Sequence, residues 1–279
     1  MLKKMLVKMI YGILSLVVLV YGLLYFGQRK FLFFPDGQDF KNCEAMSRLG
    51  AEAVEVQEGD VWLRYYLTRD PKASLLLVVF HGNAGSACDR AWIPQSLNRV
   101  SVNLVVAEYP GYSTGNVGEK AHGGELSEQG ILNYADGLFR HLEKTNETHL
   151  PIVVMGESLG TGVATYLASQ FNPAGLILLS GYTSIAEVAE AHYPFVFGIK
   201  SLVKDKFPAF EWAPAVKCPV LMIHGDADEV IPFSIGRRES SFFKSPINFV
   251  EIAGGGHNDL VLKNHGQAWS EVEAFLQAR

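Results

Sequence analysis

The sequence predicts an α/β fold in which a mostly parallel sheet is covered by helices on both faces. Three observations carry this expectation. Short, nearly continuous apolar runs recur along the chain: Leu75 to Phe80, Asn103 to Ala107, Ile152 to Met155, Gly175 to Leu179, Val220 to Ile223 and Ile247 to Ile252. Longer mixed segments separate them. With 48% hydrophobic and only 19% charged residues over 279 positions, the chain has material for a sizeable core and no disordered character. Runs that are apolar at every position suit strands buried on both faces, and their alternation with helix-length segments suits parallel crossovers.

The first element stands apart from this rhythm, because Met9 to Phe26 carries no charge. As a helix it would be roughly 27 Å long, close to a hydrocarbon core of about 30 Å. Lys3, Lys4 and Lys8 precede it, which favours a cytoplasmic amino terminus and a body on the far side of the membrane; Arg29 and Lys30 follow and weigh against that direction. Tyr11, Tyr21, Tyr25 and Phe26 suit the membrane interfaces. A cleaved signal peptide fits less well, since the run exceeds the usual apolar region and Tyr25 to Arg29 offers neither an A-x-A site nor a lipid-accepting cysteine. The expected organisation is an uncleaved membrane anchor over 1–30 and a folded body over 31–279. Removing residues 1–30 should then leave that body soluble.

From Phe31 to Gly50 the pattern is aperiodic, with a turn at Pro35-Asp36-Gly37, and reads as the connection from bilayer to body. Val61 to Leu67 alternates like a strand that Asp70-Pro71 closes. Helices are expected over Cys88 to Arg99, Glu125 to Glu143, Ser158 to Gln170, Ile235 to Phe243 and Gly266 to Gln277. The 40 residues from Ser180 to Pro219 exceed an ordinary crossover and are rich in aromatics and prolines. Residues 181–216 are therefore expected to form a small cap whose side chains contact an apolar substrate group.

Charge and cysteines narrow the function. Acids outnumber bases 29 to 24, so no global basic field recommends a nucleic-acid partner. Cys43, Cys88 and Cys218 are far apart and form no CxxC pair, so neither a disulfide framework nor a cysteine zinc site is expected.

The strongest chemical signal is Gly156-Glu157-Ser158-Leu159-Gly160, a G-x-S-x-G sequence between an expected strand and an expected helix. A serine on such a sharp turn exposes its hydroxyl, and the helix amino terminus adds partial positive charge. The hydroxyl needs a base, and the base an orienting acid. His257 lies in a glycine-rich loop after the last strand. Asp226 and Asp228 both lie just after Val220 to Ile223, and spacing alone divides the acid's role nearly evenly between them; Glu229 and Asp259 are nearby carboxylates. His265 is expected to begin or cap the last helix, whereas His122, His141, His149 and His192 lack a matching context. For the oxyanion of acyl transfer, the backbone N–H groups of Leu159 and Asn83 are the expected donors, with Ala84 a substitute for Asn83. His81 is expected to hold the Asn83 loop by hydrogen bonding.

Taken together, HGNAGS, EYPGYSTG, GESLG, HGDADEVIP and GGGHNDL occur in the order typical of the α/β-hydrolase superfamily. The chain most resembles its abhydrolase-domain branch of membrane-associated serine hydrolases, related to serine aminopeptidase-like proteins. The resemblance spans roughly residues 60–279. It implies Ser158, Asp228 and His257 as a triad and supports Asn83 and Leu159 as the hole. Pro110 stands where the family's R-G-Y-G pattern has arginine. The implied activity is hydrolysis of acyl esters or thioesters at a membrane through an acyl-enzyme, with no metal or organic cofactor. An aminopeptidase-like amide hydrolase and a catalytically silent interaction module are the alternatives. Residues 1–30 hold five bases and no acids, which leaves 24 − 5 = 19 bases against 29 acids in the body, or −10. Charge is therefore not expected to draw the body to an anionic lipid surface.

Overall fold

The computed structural model describes residues 2–59, 61–97, 99–114, 125–146, 148–260 and 265–279. Its frame is an eight-stranded sheet: β1 Glu52–Glu58, β2 Val61–Thr68, β3 Leu75–Phe80, β4 Val102–Ala107, β5 Ile152–Glu157, β6 Gly175–Leu179, β7 Val220–Gly225 and β8 Ile247–Ile252. The spatial order is β8-β7-β6-β5-β3-β4-β2-β1. Strand β2 pairs antiparallel with β1 and β4, and every other pairing is parallel. All six apolar runs are strands of this sheet.

The alternation of side chains along each strand explains why those runs are continuously apolar. On one face Leu76, Val78, Val154, Leu176, Leu178 and Met222 join a core with Ile131, Leu138, Val163 and Leu167, from helices α2 (Glu128–Thr145) and α3 (Leu159–Phe171). On the other, Leu75, Leu77, Val79, Val153, Ile177 and Leu221 meet Trp269 and Val272 of the carboxyl-terminal helix His265–Gln277. Helix α2 starts three residues later than expected because Ser127 caps it, its side chain accepting from the Gly130 N–H.

Two elements differ from expectation. Strand β1 was not foreseen: glutamates at 52, 55 and 58 obscure its alternation, and an edge strand tolerates such charge. The expected helix from Cys88 to Arg99 is instead a 3₁₀ turn, Ala87–Arg90, and a short helix, Trp92–Ser96. The ring of Pro94 would collide with the Arg90 carbonyl in one continuous helix.

The amino-terminal helix α1, Leu2–Gly27, is long and apolar enough to cross a membrane, and none of its 18-residue apolar window is buried against the body. The chain beyond it docks. Phe33 is buried, Phe34–Pro35 pairs in parallel with Ala84–Gly85, and Phe40 and Met46 enter the second core.

This docking overturns the cysteine expectation, since Cys43 and Cys88 form a disulfide with Cα atoms 5.8 Å apart. Their distance in sequence had hidden a spatial neighbourhood that the Phe34–Pro35 pairing creates. Cys218 is free and buried, and burial pushes its thiol up to about 11. The bridge closes a loop of 45 residues, which the chain-entropy model values at about 4 kcal/mol. Thermal unfolding of the full chain in detergent should therefore fall clearly on reduction or in Cys43→Ser, and a reduced Tm equal to the oxidised one would deny the bridge that role.

Candidate active site

Strand β5 delivers Ser158 to the sheet's carboxyl edge and α3 leaves from the next residue. Ser158 has φ 52° and ψ −118°, a left-handed conformation that strains a residue with a Cβ. The turn is tight enough to require its glycines. A Cβ on Gly156 would lie 2.3 Å from the Gly160 carbonyl oxygen, and one on Gly160 would lie 2.1 Å from that of Phe80. The Ser158 N–H donates to the Leu179 carbonyl at 2.9 Å, which pins the turn to β6.

Loops after β7 and β8 bring the partners. His257 Nε2 lies 3.0 Å from Ser158 Oγ, and His257 Nδ1 lies 2.8 Å from Asp228 Oδ2. The other oxygen, Asp228 Oδ1, accepts the N–H groups of Val230 and Ile231 at 2.9 and 2.7 Å. A second imidazole, His224, approaches Asp228 Oδ2 at 3.4 Å through Nε2, which also contacts the Ile231 carbonyl. Burial by itself would raise the Asp228 carboxyl, but the hydrogen bonds from His224 and His257 and from the loop N–H groups hold it well below the usual carboxylate range. Sequence reasoning missed His224, although it opens the HGDADEVIP stretch.

The competing carboxylates go elsewhere. Asp226 accepts from the Gly254 N–H and Asp259 from the Gly256 N–H, each at 2.6 Å, and Glu229 is exposed. Both aspartates shape the glycine loop that carries His257. Among the histidines, His141 meets the Tyr65 hydroxyl and Glu58, and His192 reaches the Val230 carbonyl. His149 is exposed, His265 begins the last helix, and His122 lies outside the described residues. His81 is buried with Nδ1 2.8 Å from the Gly82 carbonyl.

The loop after β3 lies against the serine turn: a Cβ on Gly82 would meet Ser158 Cβ at 3.4 Å. Asn83 is held on two sides, its Nδ2 donating to the Leu32 carbonyl and its own carbonyl accepting from Phe34 N–H and the Tyr112 hydroxyl. Leu159 is the first residue of α3, so its N–H has no carbonyl within the helix to bond. Arg90, which sequence reasoning also missed, joins the two halves of the site. Its guanidinium pairs with both carboxylate oxygens of Glu157, at 3.1 and 3.3 Å, and donates to the carbonyls of Ala84 and Ser86.

A cavity of about 120 Å³ opens at Ser158 and His257, walled by Trp92, Leu179, Ser180 and Asn258. No aromatic of residues 181–216 lines it. That interval divides instead: Phe207, Ala209 and Ala213 are buried in the body, while Tyr193, Phe195 and Phe197 are exposed beside α1. No group of three or more His, Cys, Asp or Glu among the described residues is placed to hold a metal ion.

Glu108, at the end of β4, supports the loop from behind, accepting the Ala87 N–H at 2.8 Å. Burial outweighs that bond and raises its carboxyl to about 8. Between about pH 4.5 and 8 the folded chain then keeps a proton that the unfolded chain has lost, so this group makes stability fall as pH rises, by up to about 1.4 kcal/mol per unit. Glu108→Gln should flatten that slope in thermal unfolding curves collected from pH 5 to 8. An unchanged slope would mean that Glu108 is ionised in the folded protein.

A strained serine between strand and helix, with histidine and aspartate supplied from the ends of later parallel strands, is an arrangement of the α/β-hydrolase class. The comparisons agree with it. The chain belongs to the α/β-hydrolase family: residues 59–186 match the family model described as "Alpha/beta hydrolase of unknown function" (DUF1057), and relatives match over most of the chain. An uncharacterized protein of Mycobacterium tuberculosis is 31% identical over 252 residues, 89% of this chain and 87% of its own. The alpha/beta hydrolase domain-containing protein 17B of Xenopus laevis is 30% identical over 209 residues, 74% of this chain and 67% of that protein. The lysophosphatidylserine lipase ABHD12 of Macaca fascicularis is 30% identical over 188 residues, 58% of this chain and 44% of the lipase. Among solved structures, Est1E from Butyrivibrio proteoclasticus, with ferulic acid bound, superposes with a TM-score of 0.64 at 19% identity, over 81% of this chain and 98% of its own.

Proposed function

We propose that this protein is a membrane-anchored serine hydrolase that cleaves carboxylic esters or thioesters of acyl or lipid type through an acyl-enzyme. The observation that carries the proposal is the hydrogen-bonded series Ser158–His257–Asp228 at the mouth of a cavity. Ser158 Oγ attacks the acyl carbonyl while His257 Nε2 takes its proton, and Asp228 keeps the proton of Nδ1 in place and stabilises the imidazolium. The N–H groups of Asn83 and Leu159 bind the oxyanion, each such donor contributing about 2.7–4 kcal/mol to the transition state. The imidazolium then protonates the leaving alcohol or thiol. Water, deprotonated by His257, attacks the acyl-enzyme and frees the acid and Ser158. These residues complete the cycle with water as co-reactant.

Further support for a lipid substrate comes from the lysophosphatidylserine lipase among the relatives and from a span-length apolar helix on the same chain. A disulfide between Cys43 and Cys88 favours an oxidising compartment, and so a body on the non-cytoplasmic side. The test is labelling of the full chain with a fluorophosphonate, followed by turnover of short and long acyl p-nitrophenyl esters, an acyl thioester and a peptide amide. Labelling confined to Ser158 with ester or thioester turnover is expected. Faster amide turnover would replace this reading by an aminopeptidase-like one, and absence of both labelling and turnover by a silent interaction module.

A further inference from the structure

Between the end of α1 and the exposed half of residues 181–216 lies a second and larger opening, an apolar groove of about 300 Å³. Leu24 and Phe31 form one side; Ile185, Val196, Ile199 and Leu202 form the other. Its walls are fastened together. The Tyr21 hydroxyl donates to the Phe197 carbonyl at 2.9 Å, and the Gln28 side chain donates to the Leu202 carbonyl and accepts from the Lys204 N–H. Arg29 forms a forked pair with the buried carboxylate of Asp205, at 2.8 and 3.3 Å. The helix end and this half of the interval therefore form one surface.

That surface has two features of a bilayer interface. Phe26, Phe31, Phe195 and Phe197 are 72–89% exposed around the groove, an apolar area that water would penalise. Bases also gather there. The segments 28–32 and 193–206 contain Arg29, Lys30, Lys200, Lys204 and Lys206 against the single acid Asp205, although the body as a whole is acidic. Glu125 and Glu190 answer Arg29 and Lys200, whereas Lys30 and Lys204 have no ion-pair partner within 4 Å among the described residues. The Lys204 ammonium lies 3.9 Å from the centre of the Tyr25 ring, on the last turn of α1. Exposed aromatics ringed by lysines suit the zone where acyl chains meet anionic headgroups. The wall at Leu24 belongs to the bilayer-length helix itself, so the groove opens where that helix leaves the hydrocarbon.

We propose that this groove is an acyl-chain site: residues Tyr193 to Lys204 lie in the membrane interface, and one hydrocarbon chain of a bilayer lipid occupies the space between them and α1. The site rests on reading α1 as a membrane span, and it concerns lipid contact rather than turnover. It also revises the expectation that charge plays no part in bringing the body to lipid, because the acidic average conceals a local basic collar.

The experiment places the full chain in mixed phosphatidylcholine–phosphatidylglycerol vesicles containing a phospholipid with a diazirine on its acyl chain. After irradiation, mass spectrometry maps the adducts. Adducts are expected on two segments, within α1 and between Tyr193 and Val203, with Lys72, at an exposed turn, serving as the unlabelled reference. Ala189→Trp, which fills the groove, should lower the second set about tenfold and leave the adducts on residues 10–20 unchanged. Adducts confined to α1 would overturn the proposal, as would adducts between Tyr193 and Val203 that Ala189→Trp leaves undiminished. The readout needs no turnover, so failure of the hydrolase reading, seen as absent fluorophosphonate labelling, is separable from failure of this one.

Discussion

Ser158→Ala is expected to reduce ester turnover on the order of 10⁶-fold in kcat, to the level that the oxyanion donors and binding alone sustain. Fluorophosphonate labelling should vanish with it. The fold should survive, because the hydroxyl's hydrogen bond in the site is the one to His257, and alanine occupies the strained φ of 52° with the same Cβ that serine has. A change in stability within about 1 kcal/mol is the corresponding expectation, read from thermal unfolding. If the variant kept even a tenth of the original turnover, Ser158 would not be the nucleophile.

Asp228→Asn should cost about 10⁴-fold in kcat, and the surrounding loop dictates why. The N–H groups of Val230 and Ile231 point at Oδ1, so an asparagine there must turn its carbonyl oxygen to them and its NH₂ toward His257. That donor holds His257 with the proton on Nε2, the wrong tautomer for accepting one from Ser158. The substitution should also remove a pH-dependent stabilisation. Because the carboxyl is held below its ordinary range by its imidazole and backbone donors, its contribution is present above about pH 4 and is lost as pH falls through the depressed folded value. The stability deficit of Asp228→Asn should accordingly shrink in acid. Asp226→Asn, by contrast, changes a side chain that accepts from the Gly254 N–H and should leave kcat within a few fold. Equal losses in the two variants would reopen the choice that sequence spacing leaves even.

The strands and the serine turn were legible because each rests on local pattern, whereas the choice between Asp226 and Asp228 was left even by spacing. A buried parallel strand must be apolar throughout, and a serine elbow must have small neighbours, so both leave marks readable within ten residues. Tertiary pairing leaves no such marks. The neighbourhood of Cys43 and Cys88 depends on Phe34–Pro35 lying alongside Ala84–Gly85, a contact between segments 50 residues apart that have no distinctive composition. Arg90 is equally silent in sequence, since its role comes from reaching Glu157 across the site. The aromatics of 193–197 were visible, but their direction was not. Composition cannot distinguish a side chain turned toward Ser158 from one turned toward α1.

The docking of the connection at Asn83 has a practical side for anyone preparing this protein without its apolar amino-terminal helix. Asn83 is gripped by Leu32 and Phe34, and these are oriented by Gln28 and Arg29 through Leu202 and Asp205. A cut after Lys30, the boundary that hydropathy suggests, discards Gln28 and Arg29 while retaining the residues they steady. Chains starting at Gly27 should keep a higher Tm and faster turnover of a soluble ester than chains starting at Phe31. The amino-terminal helix is thus no detachable handle: the residues at its end hold the loop that carries Asn83.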